Sequence, residues 1–206
     1  MLRLRLATAM LLAMTGKTMR SSYFHTKRWI FIAVLLFGIG IVFGLTAPTG
    51  ITSLLAEDVS ALEELSDLLA SLPLALIALF IFIKNASVLL LSFTLSPLFC
   101  LVPILVLTVN GWVIAFVSAT IIPEESLGYL LAGLLPHGIF ELPAFILGEA
   151  AALSFGTMAI VALFRKERRN LLLPNLKQNF RYLMIALALL LPAAIIETYV
   201  TPLLLR

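Results

Sequence analysis

The sequence predicts an all-α, polytopic membrane protein that is built as a bundle of about five transmembrane helices. Of its 206 residues, 62% are hydrophobic and only 12% are charged, and the mean hydropathy is +1.12. Soluble domains carry about twice that charged fraction. Several apolar runs also exceed the roughly 20 residues that a helix needs to cross a bilayer. We therefore expect the lipid bilayer to be a main partner of the chain.

The charged residues are distributed unevenly, which indicates an orientation in the membrane. Lys and Arg gather in residues 3–28 and 165–181, whereas the acids gather in residues 57–67 and 124–125. Cytoplasmic loops of membrane proteins carry the excess of Lys and Arg. This pattern places both basic segments inside and both acidic segments outside, and it indicates membrane orientation rather than nucleic-acid binding.

The predicted organisation is a basic cytoplasmic tail, residues 1–28, followed by a single membrane domain, residues 29–206. Five spans put the C-terminus on the outside of a multi-pass cell-membrane protein. The single cysteine, Cys100, lies in an apolar run and excludes an internal disulfide. The predicted spans lie at about 29–47, 73–95, 98–122, 136–164 and 182–204.

Glycines at helix-packing spacing predict close contacts between helices. In the first span, Gly40 and Gly44 form a GxxxG spacing, which lets another helix backbone approach closely. Gly138 and Gly148 in the fourth span are further candidates for packing. We expect such glycines to support a homodimer.

The segment between the first two spans predicts an amphipathic helix outside the membrane. Apolar residues recur at helical spacing from Val59 to Leu72, while the acids occupy other faces. Ser53 is a suitable N-cap, and Pro73 follows the end. The absence of Lys and Arg in this segment fits a non-cytoplasmic location.

Residues 127–164 are long for one ordinary span and short for two spans with a loop. The run is interrupted only by Pro136 and Pro143. We predict a short interfacial or re-entrant helix over residues 127–135, followed by a long span that begins at Pro136 and is kinked at Pro143. The alternative is two half-inserted segments that meet near His137.

Polar residues inside the predicted spans form a candidate intramembrane cluster. An ionisable group at membrane depth costs at least about 2.5–3.5 kcal/mol and therefore needs a partner or a water-filled cavity. On a helix, His137 and Glu141 share a face, whereas Glu149 is rotated by about 120° from His137. The candidates are Lys84, Asn85, Asn110, His137, Glu141, Glu149 and Glu197.

The sequence gives little support for catalysis or for a cofactor. Catalytic zinc generally takes three protein ligands, and the chain has only two histidines, of which His25 lies in the basic tail. Glu141 and Glu149 could complete a site with His137 in principle. The sequence also lacks the GxSxG elbow that positions a catalytic serine in many hydrolases. We therefore predict no catalytic residue, no cofactor and no metal, and a protein that is not an enzyme.

Four motifs in a fixed order carry a family resemblance. They are "FIKNASVLLLSF" (82–93), "NG" (110–111), "HGIFELPAFILG" (137–148) and "IIETYVTP" (195–202). Together they resemble the membrane proteins related to stage II sporulation protein M. One departure is Lys84, which stands where the family often shows an asparagine.

The resemblance implies a membrane fold and a non-enzymatic role. The family member that acts in sporulation is similar to a scaffold that holds peptidoglycan-degrading partners at the membrane during engulfment. We therefore expect a scaffold or assembly factor for other membrane or envelope proteins. The alternative is a transporter or channel-like component that uses the intramembrane Lys, His and Glu residues.

Overall fold

The computed structural model of the protein describes residues 26–46 and 72–205, and nearly all of this part of the chain is helical. We number the helices in chain order. They are α1 (Thr26–Leu45), α2 (Leu74–Leu95), α3 (Leu101–Glu124), α4 (Leu127–Phe164), a 3-10 helix (Lys166–Leu171), α5 (Leu172–Tyr199) and α6 (Thr201–Leu204).

Five of these helices, α1 to α5, are long and apolar enough to cross a membrane. Their outward faces carry large apolar side chains such as Phe31 and Leu105, which suits contact with lipid. The prediction of an all-α membrane bundle is confirmed. The basic tail up to residue 25 and the predicted amphipathic helix before Leu72 lie outside the described residues.

Helix α4 is one continuous helix of 38 residues, so the predicted separate helix over residues 127–135 is wrong. The helix begins at Ser126, whose hydroxyl accepts a hydrogen bond from the backbone N–H of Tyr129 at 3.1 Å. Pro136 and Pro143 lie inside it. Each proline removes one backbone hydrogen bond, and the helix nevertheless continues through both positions.

Helix α5 begins earlier than the predicted span at residue 182. It starts at Leu172, so residues 172–181, the second part of the basic segment predicted as a loop, form its first turns, and the first part forms the 3-10 helix. The side chain of Asn179 in this segment is buried against α4. Tertiary packing therefore extends the helix beyond its apolar part.

The main core lies between α2, α4 and α5. Small residues on α4 allow the other two helices to approach closely, which is how membrane helices commonly pack. A Cβ atom at Gly148 would stand 2.9 Å from the Leu89 side chain of α2 and 3.4 Å from Cβ of Ala186 in α5. The residues of this core with at most 1% exposure are Leu89, Ala144, Ala152, Leu183, Ala186 and Leu190.

Helices α1 and α3 are joined by a seam of glycines. A Cβ atom at Gly40 would overlap the backbone carbonyl of Thr108, and one at Gly44 would stand 2.7 Å from Cβ of Ala115. Gly111 of α3 similarly faces the backbone of Phe37. The close contact predicted for the first-span glycines is thus made within one chain.

Gly138 does not share this role in the structure. Among the described residues, no atom lies within 4 Å of the position that its Cβ would take. Because packing glycines are those that admit a neighbour's backbone, Gly138 is not a packing residue in this part of the fold.

We predict that Gly40→Ala lowers the free energy of unfolding by about 1–3 kcal/mol, because the added methyl would clash with the Thr108 carbonyl and force α1 and α3 apart. The matched control is Gly38→Ala on the same helix, where no described atom lies within 4 Å. Reversible unfolding of both variants in bicelles measures the effect. Equal stability of the two variants would contradict the α1–α3 seam.

Candidate functional site

Most of the predicted intramembrane polar residues meet at one place. His137 and Glu141 lie on α4, and residues of α2 and of the α5–α6 end surround them. We call this group the His137 cluster. Its members are Lys84, Asn85, His137, Glu141, Glu197 and Thr201.

Direct contacts connect the cluster across three helices. The Asn85 side-chain amide donates to Oε1 of Glu141 at 3.1 Å. The other carboxylate oxygen, Oε2, lies 3.9 Å from Nε2 of His137. The second ring nitrogen, Nδ1, lies 3.5 Å from Oγ1 of Thr201. Helix α4 is thereby tied to α2 on one side and to α6 on the other.

Glu197 completes the cluster from α5. One ligand atom each of His137, Glu141 and Glu197 lies within 4.8 Å of the other two. Glu141 also interacts electrostatically with Lys84, whose side chain is exposed.

The cluster lies deep along α2. Asn85 is about 16 Å from the first residue of this helix and about 15 Å from the last, at 1.5 Å per residue. The side chains of His137 and Glu141 are nevertheless 13% and 23% exposed. On α5 the cluster lies near the helix end, since Glu197 is two residues before Tyr199. Ionisable side chains within membrane helices are rare, so the cluster is a candidate functional site.

Glu149 lies apart from the cluster, in agreement with its rotation along α4. Its side chain is fully buried, and the Ser92 hydroxyl of α2 donates to its Oε2. Its Oε1 has no hydrogen-bond partner among the described residues. Glu149 and Ser92 therefore form a second polar contact between α2 and α4.

Asn110 is not brought to the His137 cluster. Its amide donates to the Val106 carbonyl of its own helix at 2.7 Å. Among the described residues it makes no side-chain hydrogen bond to the cluster. The neighbouring Gly111 contacts α1, so this motif belongs to the α1–α3 seam.

Sequence reasoning missed three polar partners. Ser92 follows Asn85 by seven residues, so the helical period puts both on one face of α2, and this signal was available. Thr201 follows Glu197 by four residues and could have been found in the same way. Asn179, which donates to Ser154 at 3.1 Å, lies in a segment that was predicted as a loop.

Comparison with known proteins identifies the family. The family model of stage II sporulation protein M matches residues 33–202, which is most of the chain. The chain belongs to the stage II sporulation protein M family. The matched region contains both the His137 cluster and Glu149, so these contacts lie in the part of the chain that defines its membership.

One curated relative is similar over nearly its whole length. It is an uncharacterized protein of Methanocaldococcus jannaschii, 26% identical over 174 residues, which are 84% of this chain and 93% of the relative. No solved structure matches the chain significantly. Membership in the stage II sporulation protein M family, together with five apolar helices, makes the chain a multi-pass integral membrane protein.

Proposed function

We propose that the protein is a non-enzymatic membrane scaffold that holds other envelope proteins. The observation that carries this proposal is the outer face of α1. This helix is fastened to α3 by its Gly40 and Gly44 face, while large apolar side chains such as Phe31 and Val42 on its other side are exposed. A second helix could pack on this side.

The outer face of α1 carries a shallow apolar groove. Its volume is about 490 Å³, and it runs along exposed side chains on both sides of Gly38. No described atom lies within 4 Å of the position of a Cβ at Gly38. Small residues flanked by large apolar ones are typical of surfaces on which membrane helices associate.

The closed core supports a static role. Between the His137 cluster and the opposite end of the bundle, α2, α4 and α5 are packed through Leu89, Ala186 and Leu190, each at most 1% exposed. In a protein interior of this density, side chains hold fixed positions and leave little space for a passing solute. This packing favours a framework over a conduit.

The partner that we propose for α1 is a transmembrane helix of another membrane protein. Of the glycines that predicted a homodimer, Gly40 and Gly44 are occupied by α3 and Gly148 by α2 and α5, whereas Gly138 is open among the described residues. A second copy of the chain on the Gly38 face is the competing occupant. The mass of a cross-linked product distinguishes the two.

A transporter or channel-like component is the second candidate function. The observation that favours it is the partly exposed His137 cluster, which brings two carboxyl groups and an imidazole together beside Asn85 near the middle of α2. Intramembrane acids and histidines are common in ion pathways. A transport role through the cluster does not require the Gly38 face, so the two candidates respond differently to a change there.

We further propose that the protein lies in the cell membrane with its N-terminus in the cytoplasm and its C-terminus outside. The hydroxyl of Thr26, at the start of α1, donates to Tyr182 Oη at 3.3 Å and accepts from Gln178 at 3.2 Å. The start of α1 and the basic start of α5 therefore share one end of the bundle. The positive-inside bias favours the cytoplasm for that end.

Orientation is testable because the native Cys100 is buried and free. We expect a membrane-impermeant maleimide to label Arg206→Cys in intact cells and to label the exposed position Arg168→Cys only after lysis. Labelling of Arg168→Cys in intact cells, with Arg206→Cys protected, would reverse the proposed orientation.

For the scaffold role, we predict that Gly38→Leu lowers partner cross-linking at α1 by about fivefold or more. The leucine side chain fills the groove on α1 at Gly38 and disrupts a close helix contact, at a cost of about 1–3 kcal/mol. A photoreactive residue at Val42 in native membranes measures the contact, and mass spectrometry identifies the adduct. The same photoreactive residue placed at Ile185, which is exposed on α5, measures the background of non-specific cross-linking.

The matched control is Gly138→Leu, which also fills open space but lies on α4. It should leave the Val42 adduct unchanged. An adduct at Val42 that is insensitive to Gly38→Leu would contradict docking on α1. An adduct of twice the chain's own mass would show that a second copy of the chain, and not another protein, contacts α1.

A further inference from the structure

The donors of the His137 cluster are arranged as a ligand set. His137 Nε2 faces the Oε2 atom of Glu141 at 3.9 Å, which is longer than a hydrogen bond. A carboxylate oxygen of Glu197 lies within 4.8 Å of ligand atoms of both residues. One imidazole nitrogen and two carboxylate oxygens thus lie within 4.8 Å of one another.

The remaining polar atoms of two of these side chains are held by neutral neighbours. The Asn85 amide holds Oε1 of Glu141, which leaves Oε2 directed at the imidazole. Thr201 lies 3.5 Å from Nδ1 of His137. When Nδ1 carries the proton and donates a hydrogen bond to Oγ1 of Thr201, the lone pair of Nε2 is free on the side of Glu141 Oε2. Metal-ligating histidines are oriented in this way by an outer hydrogen bond.

We propose that His137, Glu141 and Glu197 bind one divalent transition-metal ion of the zinc class. Imidazole nitrogen together with carboxylate oxygen suits zinc, whereas magnesium and calcium take oxygen ligands alone. A divalent ion balances the two carboxylates, and three protein ligands leave a fourth position open. The sequence alone predicts no metal, because the chain has only two histidines and His25 lies in the basic tail; Glu141 and Glu149 are considered there as further ligands, but Glu197 is not.

The distances fit this ion after small side-chain rotations. Zinc bound at about 2.0–2.2 Å from nitrogen and oxygen places neighbouring ligand atoms about 3.4 Å apart. The present separations of up to 4.8 Å therefore need to close by about 1.4 Å, shared between two side chains. The exposure of His137 and Glu141 gives the ion access to the site.

Removal of the Lys84 ammonium group has different effects in a metal site and in a structural ion pair. Its ammonium group interacts electrostatically with Glu141 but donates no ligand. In a metal site it competes with the ion for the carboxylates, so its removal strengthens binding. In a purely structural ion pair, its removal only weakens the fold. Lys84→Gln therefore separates the two roles.

The probe is Zn²⁺ titrated into the purified full-length chain in nanodiscs, followed by calorimetry and by competition with a chromogenic chelator. We expect one zinc per chain and a zinc-dependent rise in Tm. Glu197→Gln and His137→Ala should weaken binding about 100-fold or more, since each loses a ligand. Lys84→Gln should tighten it about threefold to tenfold.

Two controls keep adventitious binding separate. His25→Ala removes the other histidine, and Glu167→Gln removes an exposed carboxylate outside the site; both should bind zinc as the parent chain does. If His137→Ala does not fold, the nearly isosteric Glu197→Gln still decides. Any of three results overturns the proposal: no zinc bound by the parent chain, binding unchanged in Glu197→Gln, or weaker binding in Lys84→Gln. Because the site is independent of the α1 face, its failure would leave the scaffold proposal intact.

Discussion

A polar side chain in the hydrocarbon region needs a partner, and in three pairs of this protein the two partners lie on different helices. Asn85 and Glu141 join α2 to α4, Ser92 and Glu149 join the same pair further along, and Ser154 and Asn179 join α4 to α5. All three contacts include α4. Because an unpaired polar group in lipid is costly, these contacts favour one register of α2 and α5 on α4.

Small residues make these polar contacts possible. Gly148 lets Leu89 and Ala186 approach α4 closely, and Gly156 admits the turn that contains Ser96 and Cys100. In the second half of the bundle, glycines of α1 and α3 face each other's backbones. One part of the molecule is thus ordered by paired polar groups, and the other by backbone contact. In the proposed scaffold, a partner helix packs on the exposed side of α1.

Much of the fold was predictable because it depends on local properties of the sequence. Hydropathy and length predict the five spans, and the helical period separates Glu149 from the face of His137 and Glu141. Tertiary partners were not predictable in this way. Glu197 lies 56 residues after Glu141, and only the antiparallel packing of α4 and α5 brings them together. The same packing keeps α4 continuous through Pro136 and gives α5 its early start.

The pairing of Ser92 with Glu149 offers the most direct test of the claim that polar contacts tie the helices to α4. The measurement is a double-mutant cycle of Ser92→Ala and Glu149→Ala on the free energy of unfolding in bicelles. Ser118→Ala serves as the control partner, because its hydroxyl donates within its own helix. The account predicts a coupling of about 0.6–2 kcal/mol for Ser92 with Glu149 and additivity for Ser118. Additive effects of Ser92→Ala and Glu149→Ala would contradict it.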